Sequence, residues 1–113
     1  MRVHQIAREL IPDCWEDSKL LLAEPITTEI APQLYASVGS IAANTGEAYS
    51  KSSGKDRARI FEIALGSVRE SMEWYNASEP VLGDDTTGDR LKRLEEMRRL
   101  LLAIIPRERG RSM

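Results

Sequence analysis

Cysteine and histidine are nearly absent, with Cys14 and His4 the only ones in 113 residues. One thiol cannot close an internal disulfide, and one thiol plus one imidazole cannot supply the ligands of a structural zinc site, so no metal is expected. Aromatic residues make up only 5%, with a single Phe, and Gly and Pro number 7 and 5. With 42% hydrophobic and 30% charged residues, that composition excludes a collagen-like or low-complexity chain and fits one folded domain. No apolar run exceeds the six residues Leu100 to Ile105, far short of the roughly 20 that span a bilayer. Arg2-Val3-His4-Gln5 leads into no apolar stretch of the signal-peptide kind. The expectation is a cytoplasmic chain without membrane contact.

Charge is scarce in net terms and uneven in place. The formal charge is −2, yet residues 1–88 carry eight cations against fourteen carboxylates, and residues 89–113 carry eight against four. A basic end on an acidic body is a weak pointer to a polyanionic partner, and solvated helix faces with a frayed tail are the commoner cause of such a pattern.

What is present is helical periodicity, with no strand-like alternation. Val3, Ile6, Ala7, Leu10, Cys14, Leu21 and Leu22 share one face of a first segment, which Pro12 is expected to kink or split. A second segment starts near Thr27 and Thr28 as N-caps, with Ile30, Leu34, Val38, Ile41, Thr45 and Ala48 as its inner stripe. Ser53 followed by Asp56 reads as the start of a third helix, with Phe61, Ala64, Leu65, Val68, Met72 and Tyr75 as its seam. Residues 76–88 read as a loop. Thr86 or Thr87 caps a fourth helix with Leu91, Leu94, Met97, Leu101 and Ile104 inside. The fold expected is all-α, an antiparallel up-and-down four-helix bundle over residues 1–105, with residues 106–113 a mobile basic tail.

Catalytic patterns are missing. No Glu-x-x-His pair serves a di-iron site, Gly54-Lys55-Asp56 lacks the rest of a phosphate loop, and no Cys/His signature surrounds Cys14. Neither catalytic residues nor a cofactor is expected, and Cys14 reads as a small buried hydrophobe.

The segment 40–70 carries the strongest pattern. Ser40, Ile41, Asn44, Glu47 and Tyr49 form a first block. Ser53, Lys55 and Asp56 form a helix start. Ile63, Ala64, Gly66, Ser67 and Glu70, with Arg59 before them, form a third block. This arrangement resembles the bacterial four-helix-bundle family named for reading frames inside intervening sequences of 23S ribosomal RNA genes. Ala48 stands where that family usually has Gly, and Arg57 where an aromatic is common. The wider fold group is similar to the accessory variability determinant of diversity-generating retroelements. The resemblance implies a homopentamer that associates with nucleic acid and with a partner protein such as a reverse transcriptase.

The residues themselves suggest two jobs. Asn44, Glu47, Arg59, Gly66, Ser67 and Glu70 lie on facing flanks of the second and third helices. They are expected to form a polar network inside the bundle or between subunits, with Arg59 on a carboxylate and Gly66 admitting a neighbouring helix. Ile60, Phe61, Ile63, Ala64 and Leu65 crowd six positions of the third helix, and Leu100, Leu102 and Ile105 add to the fourth, an apolar surface broader than one seam needs, which favours oligomerisation. Lys51, Lys55 and Arg57 at the start of the third helix, and Arg107, Arg109 and Arg111 in the tail, are candidate contacts to RNA or DNA phosphates. These two basic sets are expected at opposite poles of one chain. The functional expectation is a non-enzymatic homo-oligomeric accessory or scaffold protein that binds nucleic acid through its backbone. The alternative is a protein-interaction module without a nucleic-acid role.

Overall fold

The computed structural model of the chain describes residues 1–111, and they are all-helical apart from short connections. The helices are α1 (Arg2–Ala23), α2 (Ile30–Ala48), α3 (Gly54–Ala77), the single-turn α4 (Glu79–Leu82) and α5 (Asp84–Arg109). α3 is the central element, sharing its largest surfaces with α2 and α5, while α1 packs mainly on α2 and only thinly on α5. The molecule extends 50 × 20 × 18 Å.

The inner stripes expected from periodicity form one core. Val3, Ile6, Leu10 and Leu21 of α1 meet Leu34, Val38 and Ile41 of α2, Phe61, Val68 and Tyr75 of α3, and Leu94, Met97 and Leu101 of α5. Because α3 is covered on two sides, Ile60, Phe61, Ala64 and Leu65 are all buried within one chain, and so is Ile105. The apolar excess expected on α3 is therefore mostly absorbed internally. Only Ile63 and Leu102 of that set are exposed, at 47% and 42%. Leu22, expected inside, is also exposed.

Several boundaries differ from expectation for identifiable reasons. α1 is not split at Pro12: the proline sits on the exposed side, while Leu10 and Cys14 on either side of it are fully buried. Packing there outweighs the lost hydrogen bond. Thr27 and Thr28 do not cap α2. Their hydroxyls donate back to Leu21 O at 2.8 Å and to Glu24 O at 2.9 Å, closing the end of α1. Residues 76–88 are not a loop, because α3 runs to Ala77, α4 follows, and α5 begins at Asp84 after Gly83, whose φ of 85° only glycine adopts easily. Thr87 lies inside α5 and is not its cap. Ser53 caps α3 as expected, accepting from the Asp56 N–H at 3.1 Å.

The expected mobile tail also needs correction. α5 continues through Pro106 to Arg109, because Ile104, Ile105 and Glu108 are buried against the rest of the chain. Ser112 and Met113, the end of that expected tail, lie outside the described residues. No helix among the described residues is long and apolar enough to cross a membrane.

Candidate functional site

The two basic sets meet at one end of the molecule, contrary to the expectation of opposite poles. In antiparallel helices joined by short links, the fourth long helix returns to the end where the third begins. The first turn of α3 lies directly on the last turn of α5. A Cβ added at Gly54 would stand 2.2 Å from Glu108 O and 2.9 Å from Arg111 Cβ, so only glycine allows this approach. The positive N-terminal end of α3 thereby meets the negative C-terminal end of α5, a favourable pairing of helix dipoles.

Around this tip stand Lys51, Lys55, Arg57, Arg59, Arg107, Arg109 and Arg111, seven cations against the four carboxylates of Glu47, Asp56, Glu62 and Glu108. The cations are not equivalent. Arg57 Nε donates to Glu108 Oε1 at 2.8 Å and its Nη1 donates to Lys51 O at 3.0 Å, with both charged side chains mostly buried. Arg111 lies 3.5 Å from the same Glu108 carboxylate. Arg109 is paired with Glu62, and Lys51 Nζ lies 3.5 Å from Glu47. Lys55, Arg59 and Arg107 are exposed and have no carboxylate partner among the described residues. The far end is acidic, with Glu24, Glu29, Glu73, Glu79, Asp84 and Asp85. There the Glu79 carboxyl is held above its usual range by a hydrogen bond and repulsion from Asp84.

Within the single chain only part of the expected polar network forms. Asn44 donates to Ser40 O at 2.8 Å and to Ser40 Oγ at 3.0 Å, and Ser40 Oγ lies 2.9 Å from Ser67 Oγ. With the Ser37–Ser71 pair at 2.8 Å, this forms a serine ladder that sets the α2–α3 register. Glu47 turns to Lys51, and Glu70 accepts from Trp74 Nε1 at 3.0 Å, each within or next to its own helix. Arg59 has no carboxylate, because its side of α3 faces outward. Gly66 admits no neighbour in the chain: a Cβ there meets nothing within 4 Å, and the same holds for Gly39. What these residues share is position, since Gly39, Ala43, Asn44, Glu47, Arg59, Ile63, Gly66 and Glu70 are all at least partly exposed along α2 and α3. Between Ile30 and Gly46, α2 carries no charged residue at all.

A second polar cluster, not anticipated from the sequence, closes the thin seam between α1 and α5. Asp17 is 3% exposed and accepts from Tyr75 Oη at 2.7 Å, Arg90 Nε at 2.7 Å and Arg90 Nη2 at 3.1 Å. Arg93 bridges Asp13 at 2.6 Å and Asp89 at 2.8 Å. Burial, with Cys14 and Asp17 beside it, pushes the Tyr75 hydroxyl far above its usual pKa. The hydrogen bond from Arg90 holds Asp89 below the ordinary carboxylate range. Burial raises the Cys14 thiol, so this sulfur is a poor nucleophile. The available signal was Asp17 itself, a charge in the stripe Leu10, Cys14, Asp17, Leu21.

No protein-family model matches the chain, and no curated protein does. A solved structure does match: a protein of unknown function from the S23 ribosomal protein family of Bacteroides thetaiotaomicron. It has a TM-score of 0.83 and 24% identity, covering 91% of this chain and 97% of that one. This chain therefore has the same small helical fold as that S23-family protein.

Proposed function

We propose that this chain is a non-enzymatic four-helix bundle, self-assembling along its α2/α3 face, that associates with nucleic acid by phosphate contacts at its basic tip. The observation that carries the reading is the convergence of the α3 start and the α5 end, which gathers cations separated by some fifty residues of sequence into one place. Contacts to phosphate position a protein without reading sequence, and Tyr49, exposed at the end of α2, is a single ring rather than the multi-ring platform that stacks successive bases.

Self-assembly explains Gly39 and Gly66. A mid-helix glycine costs about 0.8–1 kcal/mol relative to alanine, and neither has a packing reason within the chain. An uncharged helix face with Ile63 exposed beside it favours a second copy. The resemblance of residues 40–70 implies a pentamer, in which each tip would be repeated five times. The same resemblance implies a partner protein such as a reverse transcriptase.

A protein-interaction role without nucleic acid is the competing reading. It is favoured by the apolar groove of Trp15, Leu22, Pro32 and Tyr35, where the Trp15 and Tyr35 rings meet edge-to-face at 5.4 Å. Gel-shift with a structured RNA and light scattering of the purified protein separate the two. The proposal requires a multimer and a retarded RNA band, and a multimer that leaves RNA unshifted favours the alternative.

A further inference from the structure

We infer that the phosphate contacts at the tip are made by Lys55, Arg59 and Arg107, and that Glu108 acts as an internal anion that withholds Arg57 and Arg111 from the ligand. This rests on the nucleic-acid reading above and specifies how its site is divided.

Glu108 is 8% exposed at the centre of the tip. It takes the Arg57 guanidinium at 2.8 Å and stands 3.5 Å from Arg111. Arg57 is committed further, because its Nη1 also donates to Lys51 O and so ties the α2–α3 connection to the start of α3. Two of its five N–H donors are thus taken and the side chain is only 20% exposed, so little of its charge is open to a phosphate. Arg109 is likewise matched by Glu62. By contrast Lys55 and Arg59 are four residues apart, on one face of α3, and Arg107 stands exposed on the adjoining turn of α5. These three are free to neutralise phosphates, each of which then releases the cations condensed on the nucleic acid. Neutralised phosphates each contribute about −0.7 to −0.9 to the slope of log affinity against log salt, depending on strand state. Three contacts per tip give about −2 to −3.

The test is that slope, measured by fluorescence anisotropy with a labelled structured RNA for the full chain and three variants. Lys55→Ala/Arg107→Ala should flatten it by about 1.5–2 per tip. Glu108→Gln keeps an oxygen acceptor for Arg57 while removing the competing charge, and should steepen the slope by about 1 and tighten binding at low salt. Lys92→Ala, on the body of α5, should leave the slope unchanged. Salt-dependent binding with the same slope in the double variant and in Glu108→Gln overturns this assignment but keeps the nucleic-acid reading. If the unmodified protein does not bind in a salt-dependent way, both fall.

Discussion

Replacing Asp17 with alanine should be among the most damaging single changes in the molecule. Its carboxylate is 3% exposed and holds three donors, Tyr75 Oη and two nitrogens of Arg90. Truncation leaves the Arg90 charge, itself 16% exposed at the side chain, with Asp89 as its remaining partner at 2.6 Å, and strands the Tyr75 hydroxyl in the core. Removing one member of a buried pair costs about 3–5 kcal/mol. The surviving Asp89 contact places the expected loss near the lower end, about 3 kcal/mol. At roughly 4 °C per kcal/mol for a chain of this length, Tm should fall by about 12 °C. Asp17→Asn keeps an acceptor for Tyr75 and should lose about half as much. Urea unfolding of Asp17→Ala, Arg90→Ala and the double variant gives the coupling energy, expected at about 1–3 kcal/mol. A single-variant loss below about 1 kcal/mol with no coupling would refute the view that this cluster fastens α5 to α1.

Further outcomes follow from the same geometry. Gly54→Ala should destabilise by about 1–3 kcal/mol in thermal melts, because its methyl group would press on the Glu108 carbonyl. A neutral result would show that the two helix ends do not touch. Gly66→Ala should stabilise an isolated chain by about 0.8–1 kcal/mol, whereas Gly66→Leu should lower the mass of the assembly in light scattering; unchanged mass and Tm would sink the assembly face. Asp89 has its folded pKa below the unfolded value, so its contribution is complete above about pH 4 and is lost as pH falls through the folded value. Glu95, drawn down to about 2 by its hydrogen bond from Arg98, behaves the same way. Urea midpoints should therefore drop below pH 4, and Asp89→Asn should lessen that drop.

The sequence revealed the four long helices and most of their inner faces, though not the short α4, because the period of Val3, Ile6, Leu10 or Leu34, Val38, Ile41 depends only on burying one side of a helix. It did not reveal the boundaries. Whether Pro12 and Pro106 break a helix depends on what their neighbours pack against, and whether Thr27 caps the helix after it or the one before depends on the path of the connection. For the candidate site, residue types were legible and partners were not. Asn44 and Ser67 were expected together and meet through Ser40. Arg59, Glu47 and Glu70 were expected in the same network, inside the bundle or between subunits, and do not join it within the chain, because an antiparallel pair turns those positions outward. Glu108 was overlooked and Gly54 was weighed only as part of an incomplete phosphate loop, since neither has a pattern in sequence that marks a helix contact. Their importance arises only where the end of α5 reaches the start of α3.

The central claim is that the tip meets a nucleic-acid backbone, and the most direct test is fluorescence anisotropy of a labelled structured RNA titrated at 50 and 200 mM salt. Three phosphate contacts at a single tip predict that affinity falls by about 20–40-fold across that range, and by more if several tips engage one RNA. Absence of binding at 50 mM, or binding equally tight at both concentrations, would contradict it.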